Sequence, residues 1–164
     1  MSKKHDITFH YTPRDITQML LKDITFKEDD LTIEPCVGDN AFYDYIPYSK
    51  DWCEIDRGRD VFDIPDDKEF TKCVSNPPYR DNAPDGQRKN ILIKMIDKYF
   101  KITKDEVWLL LNHRCFNSLT PLRLSRWREL GWSITFLRIL NIKKWYGRYY
   151  WICFKQGGIS IVNF

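Results

Sequence analysis

No run of apolar residues in this chain of 164 residues is long enough to cross a bilayer. The longest, 107–111, is a small fraction of the roughly 20 residues a spanning helix requires. The opening stretch, MSKKHDITFH, has no apolar segment, so no secretory signal is expected and the chain is placed in the cytoplasm, away from membranes. Cysteine is sparse: Cys36, Cys53, Cys73, Cys115 and Cys153 are scattered, odd in number and form no CxxC pair. That pattern excludes a disulfide framework and a cysteine zinc site, and predicts the buried, reduced thiols of an intracellular protein. The three histidines, His5, His10 and His113, lack metal-ligand spacing, so no metal is expected. There is also no GK[ST] sequence, no second phosphate-cradling glycine and no basic pyrophosphate clamp.

What is present argues for a folded chain. Hydrophobic residues make up 43% of the sequence and aromatic residues 15%, a core-forming composition. The length suits one core and little else, so a single domain spanning 1–164 is expected. The net charge of +3 conceals a division. Residues 1–79 carry 10 Lys and Arg against 17 Asp and Glu, whereas residues 80–164 carry 16 against 6. The basic half is the better candidate for a surface that meets phosphate backbones. The simpler alternative is that its charges are solvated and balance the acidic half within one fold. Arg123, Arg126 and Arg128, with Arg114, Lys143, Lys144 and Arg148 nearby in sequence, favour the polyanion surface.

Hydrophobic periodicity divides the chain into alternating elements. Thr12-Pro13 reads as an N-cap followed by proline at the first helical position, opening a helix with Ile16, Met19 and Leu20 on one face. Short strands are expected at 31–33, 51–55 and 60–62, and another at 70–75. A helix over 87–99 carries Ile91, Met95 and Tyr99 at a spacing of four. A buried strand at 106–111, a helix over 122–130 stopped by Gly131, and strands at 133–140 and 149–155 complete the series. Strands alternating with helices imply an α/β sandwich with a mainly parallel sheet, closed by an antiparallel pair.

Two constellations carry chemistry. Asn76-Pro77-Pro78-Tyr79 follows the expected strand 70–75, at a strand end, where open α/β sheets hold their ligands. An exocyclic amino nitrogen on a base is a poor nucleophile, because its lone pair is delocalised into the ring. Two acceptors, the Asn76 carboxamide and the Pro77 carbonyl, suit the task of holding its hydrogens. The prolines stiffen that backbone, and Tyr79 offers a flat face to an extruded base. By itself the tetrapeptide reads equally well as a proline-rich turn closed by a Tyr. The second constellation runs from Glu34 and Pro35 through Gly38 and Asn40 to Phe42, directly after the first strand. Gly38 and Asn40 tolerate positive φ and let backbone approach a ligand closely. Glu54 lies 20 residues beyond Glu34, the spacing of a carboxylate that accepts from ribose hydroxyls. Asp60, six residues further on, suits an adenine amino group. With no phosphate-binding features, the expected ligand is an adenosyl group without phosphates.

In this order of motifs the chain resembles the amino-methyltransferases that use S-adenosylmethionine, specifically the DNA adenine-N6 methyltransferases. Tyr11, Thr12 and Pro13 look like the family's N-terminal motif beside the methionine end of the cofactor. Glu34, Pro35, Gly38, Asn40 and Phe42 look like its cofactor loop, written [D/E]PxxGxGxF. Glu54 matches the ribose acid, Asp60 with Val61 the adenine contact, and Asn76 to Tyr79 the catalytic NPPY. Residues 108–113 and 145–154 resemble the strands that wall the target-base pocket. The resemblance implies a Rossmann-like class I methyltransferase fold with helices on both faces. It implies S-adenosylmethionine as cofactor and direct transfer to adenine N6, with neither a metal nor a covalent intermediate.

Three departures accompany it. Asn40 stands where the family has a second glycine, and the segments between motifs are short, implying a stripped-down sheet flank. The chain also ends ten residues after Phe154, so no target-recognition domain is expected and sequence specificity should be low. Arg80, Arg88, Arg114 and Arg123 are the candidate nucleic-acid contacts. DNA is the favoured polymer and RNA the alternative, with recognition supplied by loops, a specificity subunit or a homodimer. The competing reading is a methyltransferase-like pseudoenzyme serving as a nucleic-acid-binding or partner subunit. The missing recognition domain and Asn40 favour it, whereas the intact NPPY and both acids oppose it.

Overall fold

The computed structural model describes residues 11–67, 69–79, 90–143 and 145–163. Six strands form one sheet in the order β2-β1-β3-β4-β6-β5. They are β1 (Leu31–Glu34), β2 (Ser49–Trp52), β3 (Phe70–Ser75), β4 (Thr103–Asn112), β5 (Trp132–Leu140) and β6 (Tyr149–Gln156). The first four run parallel, and β6 lies antiparallel to both β4 and β5. Three helices pack on the sheet: α1 (Arg14–Leu21), α2 (Leu92–Ile102) and α3 (Pro121–Glu129).

The buried strand read from 107–111 explains the layering. Its alternate side chains enter different cores. Val107, Leu109 and Leu111 pack with Leu92, Ile96 and Tyr99 of α2 and Trp127 of α3. Trp108 and Leu110 face the other way, with Leu20 and Leu21 of α1. Truncating Leu109, which is fully buried, would cost about 2–5 kcal/mol. Cys53, Cys73, Cys115 and Cys153 are buried and Cys36 is half-buried, all as free thiols.

Three expectations need correction. Residues 60–62 form no strand; Val61–Asp63 is a 3-10 turn whose Phe62 amide donates to Asp60 Oδ1 at 3.0 Å. Gly58 turns the chain in the left-handed region and Glu54 bridges to Arg59, so the backbone is satisfied locally and β2 remains the edge of the sheet. Thr12 does not cap α1. The cap position belongs to Pro13, without a side-chain bond, and Thr12 points elsewhere. Helix α2 begins at Leu92, where the Asn90 side chain accepts from the Leu92 amide at 3.1 Å, and it continues to Ile102; the expected stretch 87–89 lies outside the described residues.

Candidate functional site

All four parallel strands end on the same side, and the predicted residues of the described segments gather there. Beyond β1 the chain turns through Gly38 at φ 49° and Asn40 at φ 66°. Glycine adopts that region freely, and asparagine is among the side-chain-bearing residues that adopt it most readily. The turn is fastened from several sides. Val37 N–H donates to the Cys53 carbonyl at 3.0 Å, and Asn40 N–H to the Val37 carbonyl at 2.7 Å. Gly38 N–H donates to Glu54 Oε2 at 2.7 Å, so the expected ribose acid lies directly against the loop. Phe42 is 1% exposed and stacks on Trp151 at 5.6 Å with rings 4° from parallel. Its side chain is therefore an anchor under the loop, and Val61 is buried in the same manner.

Glu34 sits beneath the loop, 2% exposed. Burial pushes its carboxyl up to about 9; the backbone amides of Tyr43 and Phe42 oppose the shift, and the charges of Asp39 and Asp44 add to it. Pro35 is buried beside it. Burial likewise pushes the Cys36 thiol up to about 12, which removes it as a nucleophile near neutral pH.

The three motifs farthest apart in sequence meet here. A side chain at Gly38 would touch the Tyr11 ring at 3.3 Å, so Tyr11 covers that glycine. The next residue, Thr12, accepts a hydrogen bond at Oγ1 from Asn76 Nδ2 at 3.2 Å. The carboxamide of Asn76 is thereby oriented by a residue adjacent to the one that covers the loop. Pro77 is buried and Pro78 exposed. Tyr79 is half-buried, and its hydroxyl accepts from the Asn112 amide at the end of β4. Burial raises its phenol well above the usual range, against the opposing Asn112 amide.

Of the four candidate nucleic-acid arginines, Arg80 and Arg88 lie outside the described residues. Arg114 is exposed just beyond β4. Arg123, in the first turn of α3, gives its guanidinium to the Ser118 carbonyl, so it also clamps the preceding turn.

Sequence reasoning passed over two features. Arg57 lies across the loop, with Nη2 donating to the Gly38 carbonyl at 2.6 Å and Nη1 to Asn40 Oδ1 at 3.1 Å. Its only sequence signal was its place three residues after Glu54. Ile55 and Phe62, next to Glu54 and Asp60, are 67% and 46% exposed. Their apolar character near two predicted adenosyl acids was available from the sequence; their exposure came only with the fold.

No family profile matches the chain, and no curated protein matches it. Solved structures do. A Listeria monocytogenes protein described as a class I S-adenosylmethionine-dependent methyltransferase superposes with a TM-score of 0.64 at 10% identity, over 90% of this chain and 60% of that one. The modification subunit described for a type I restriction enzyme from Vibrio vulnificus gives 0.62 at 11%, over 92% of this chain and 45% of its own. A Pyrococcus horikoshii protein described as an RNA methyltransferase gives 0.59 at 17%, over 88% and 86%. This chain spans less than two thirds of the first two. Strand order, layering and these superpositions together establish that the chain has the Rossmann-like fold of class I S-adenosylmethionine-dependent methyltransferases.

Proposed function

We propose that this chain transfers a methyl group from S-adenosylmethionine to the exocyclic N6 amino group of adenine in nucleic acid, DNA favoured, with low intrinsic sequence specificity. One observation carries the reading: Tyr11 covers Gly38 of the loop while its neighbour Thr12 holds Asn76. A group bound on the loop and a base presented to Asn76 would thus be adjacent.

The cradle suits an adenosyl cofactor. Gly38 and Asn40 expose backbone at positive φ, and Glu54 holds one loop amide through a single oxygen, which leaves a carboxylate's remaining acceptor capacity for ribose hydroxyls. Asp60, six residues beyond Glu54 and close to the exposed Phe62, would accept from an adenine amino group. When bound, S-adenosylmethionine supplies a methyl on a positively charged sulfur, already activated for attack.

The protein's own task is positioning, worth up to roughly 7–11 kcal/mol in well-oriented systems. An amino group donates, so it must meet Asn76 at Oδ1, and the Thr12 bond to Nδ2 turns that oxygen to the opposite side of the carboxamide. The Pro77 carbonyl would take the second hydrogen. Extruding a paired base costs a few kcal/mol, which favours single-stranded or looped substrates. Sequence recognition beyond the loops would come from a specificity subunit or a second copy of the chain.

The test is transfer from labelled cofactor to duplex DNA, single-stranded DNA and RNA, with the modified base identified. Asn76→Ala should lower the single-turnover rate by at least about 100-fold while cofactor affinity stays within a few-fold. An active Asn76→Ala protein sinks the mechanism. Cofactor binding without transfer to any polymer would instead establish the pseudoenzyme.

A further inference from the structure

We propose that the β5–β6 hairpin is a base-stacking platform for single-stranded nucleic acid, with Tyr146 as the face on which an unpaired base next to the target lies. The inference rests on reading this end of the sheet as the substrate face. Strand β5 runs parallel to β4, so the loop joining it to β6 emerges at the same end as Asn76. Tyr79 presents only part of its ring there, being half-buried with its hydroxyl tied to Asn112. The aromatic surface open to solvent at that end belongs to other residues. Tyr146 is 90% exposed, Tyr11, which covers Gly38, 52% and Phe116 44%.

An exposed tyrosine on a loose loop would mean little, but this loop is held. Trp145 is buried and packs on Tyr149 at 4.7 Å, and its N–H donates to the Ile142 carbonyl at 2.9 Å. His113 N–H donates to the Arg148 carbonyl at 2.9 Å, tying the hairpin to the end of β4. Gly147 turns at φ 85°, and a side chain there would come within 2.6 Å of His113 Nδ1, so the imidazole lies against the bare backbone. The same imidazole meets Tyr146 edge-on, at 6.5 Å and 72°. The result is one fully exposed ring on a braced support.

The charges around it select the occupant. Lys143, Arg148 and Arg114 are all exposed on this hairpin and the adjoining end of β4. Cations interleaved with exposed rings fit a phosphate backbone whose bases are free to stack. A duplex has no unstacked base to offer, and the cations of the hairpin and the adjoining end of β4 suit a phosphate backbone better than a neutral protein surface.

The experiment uses the full chain without cofactor, a labelled adenine-containing single-stranded oligonucleotide, and the blunt-ended duplex it forms with its complement. Tyr146→Ala should weaken single-strand binding about 5- to 100-fold with the salt slope unchanged, because stacking releases no counterions. Tyr146→Phe should bind within about twofold of the parent. Arg148→Gln should flatten the salt slope by about one. Ile159→Ala, which truncates a 90% exposed residue beyond β6, should change nothing. Single-strand affinity unmoved by Tyr146→Ala would overturn the platform, as would an equal loss on duplex. So would a parent chain that binds neither polymer at low salt. Because no cofactor is present, the outcome is separable from the transfer reaction. Binding that falls with Tyr146→Ala in a chain that transfers no methyl would preserve the platform and remove the enzyme.

Discussion

The two ends of the sheet treat buried charge in opposite ways. At the end where the parallel strands begin, Lys72 is 2% exposed and lies 3.5 Å from Asp30, 3.5 Å from Asp105 and 3.4 Å from Glu106. Lys155 adds a 2.7 Å contact to Glu106. Burial alone would raise the Glu106 carboxyl, but hydrogen bonds from Lys155 and Trp108 and the charge of Lys72 hold it below the usual carboxylate range. At the end where the strands finish, Glu34 is just as buried, and its charged neighbours are Asp39 and Asp44. It is pushed up to about 9, and its Oε2 has no hydrogen-bond partner among the described residues. A cluster compensated within the chain closes that end of the fold. A buried acid among acids is comfortable only when neutral or beside a cation, and the proposed cofactor carries its methyl on a cationic sulfur. The contrast separates an end where buried charge is neutralised by ion pairs from an end where a buried acid is held neutral.

The most direct test of that contrast is Lys72→Met. It leaves two largely buried carboxylates, Asp30 and Glu106, without their shared cation, and should cost about 3–5 kcal/mol in urea unfolding. Cofactor affinity of the folded fraction should not change. A variant as stable as the parent would show that the cluster is not what closes that end.

Glu54→Ala should act the other way. Loss of a charged acceptor against Gly38 and the ribose should weaken cofactor binding by about 3 kcal/mol, roughly 150-fold, read by calorimetry. Undiminished affinity would mean that the cofactor lies elsewhere.

The third test is a slope. Below pH 4.5 Glu34 is protonated in both folded and unfolded chains. Between 4.5 and about 9 only the unfolded chain ionises, so its contribution to stability falls as pH rises, and above about 9 the loss is complete. Glu34→Gln keeps an acceptor for the amides of Phe42 and Tyr43 and removes the titration. Its advantage over the parent should therefore grow from about pH 4.5 to about pH 9 in denaturant titrations. A difference independent of pH would contradict the raised carboxyl.

Much of this was legible without coordinates. The strand read at 70–75 is β3 to the residue, because a short β-prone run bounded by charge on one side and Asn-Pro on the other leaves little choice. The closing antiparallel pair followed from two alternating segments around a turn. The positive φ of Gly38 and Asn40 followed from residue type. Other features were hidden because they depend on partners far along the chain. Thr12 looked like a cap by local rule, yet its hydroxyl serves Asn76, 64 positions away. Asp60 looked like part of a strand, yet a side-chain bond two residues on bends it into a turn.

The sequence by itself determined the alternation of elements, the layered fold class and the order of its motifs, since these follow from periodicity and local backbone preference. Tertiary structure alone decided that Tyr11, Gly38 and Asn76 converge. It also decided that Arg57 clasps the loop, that Lys72 is buried among acids while burial raises the Glu34 carboxyl, and that Tyr79 turns inward while Tyr146 stands exposed. Each of these is a matter of which distant side chain shares a buried volume, and strand order and layering settle that, not local sequence.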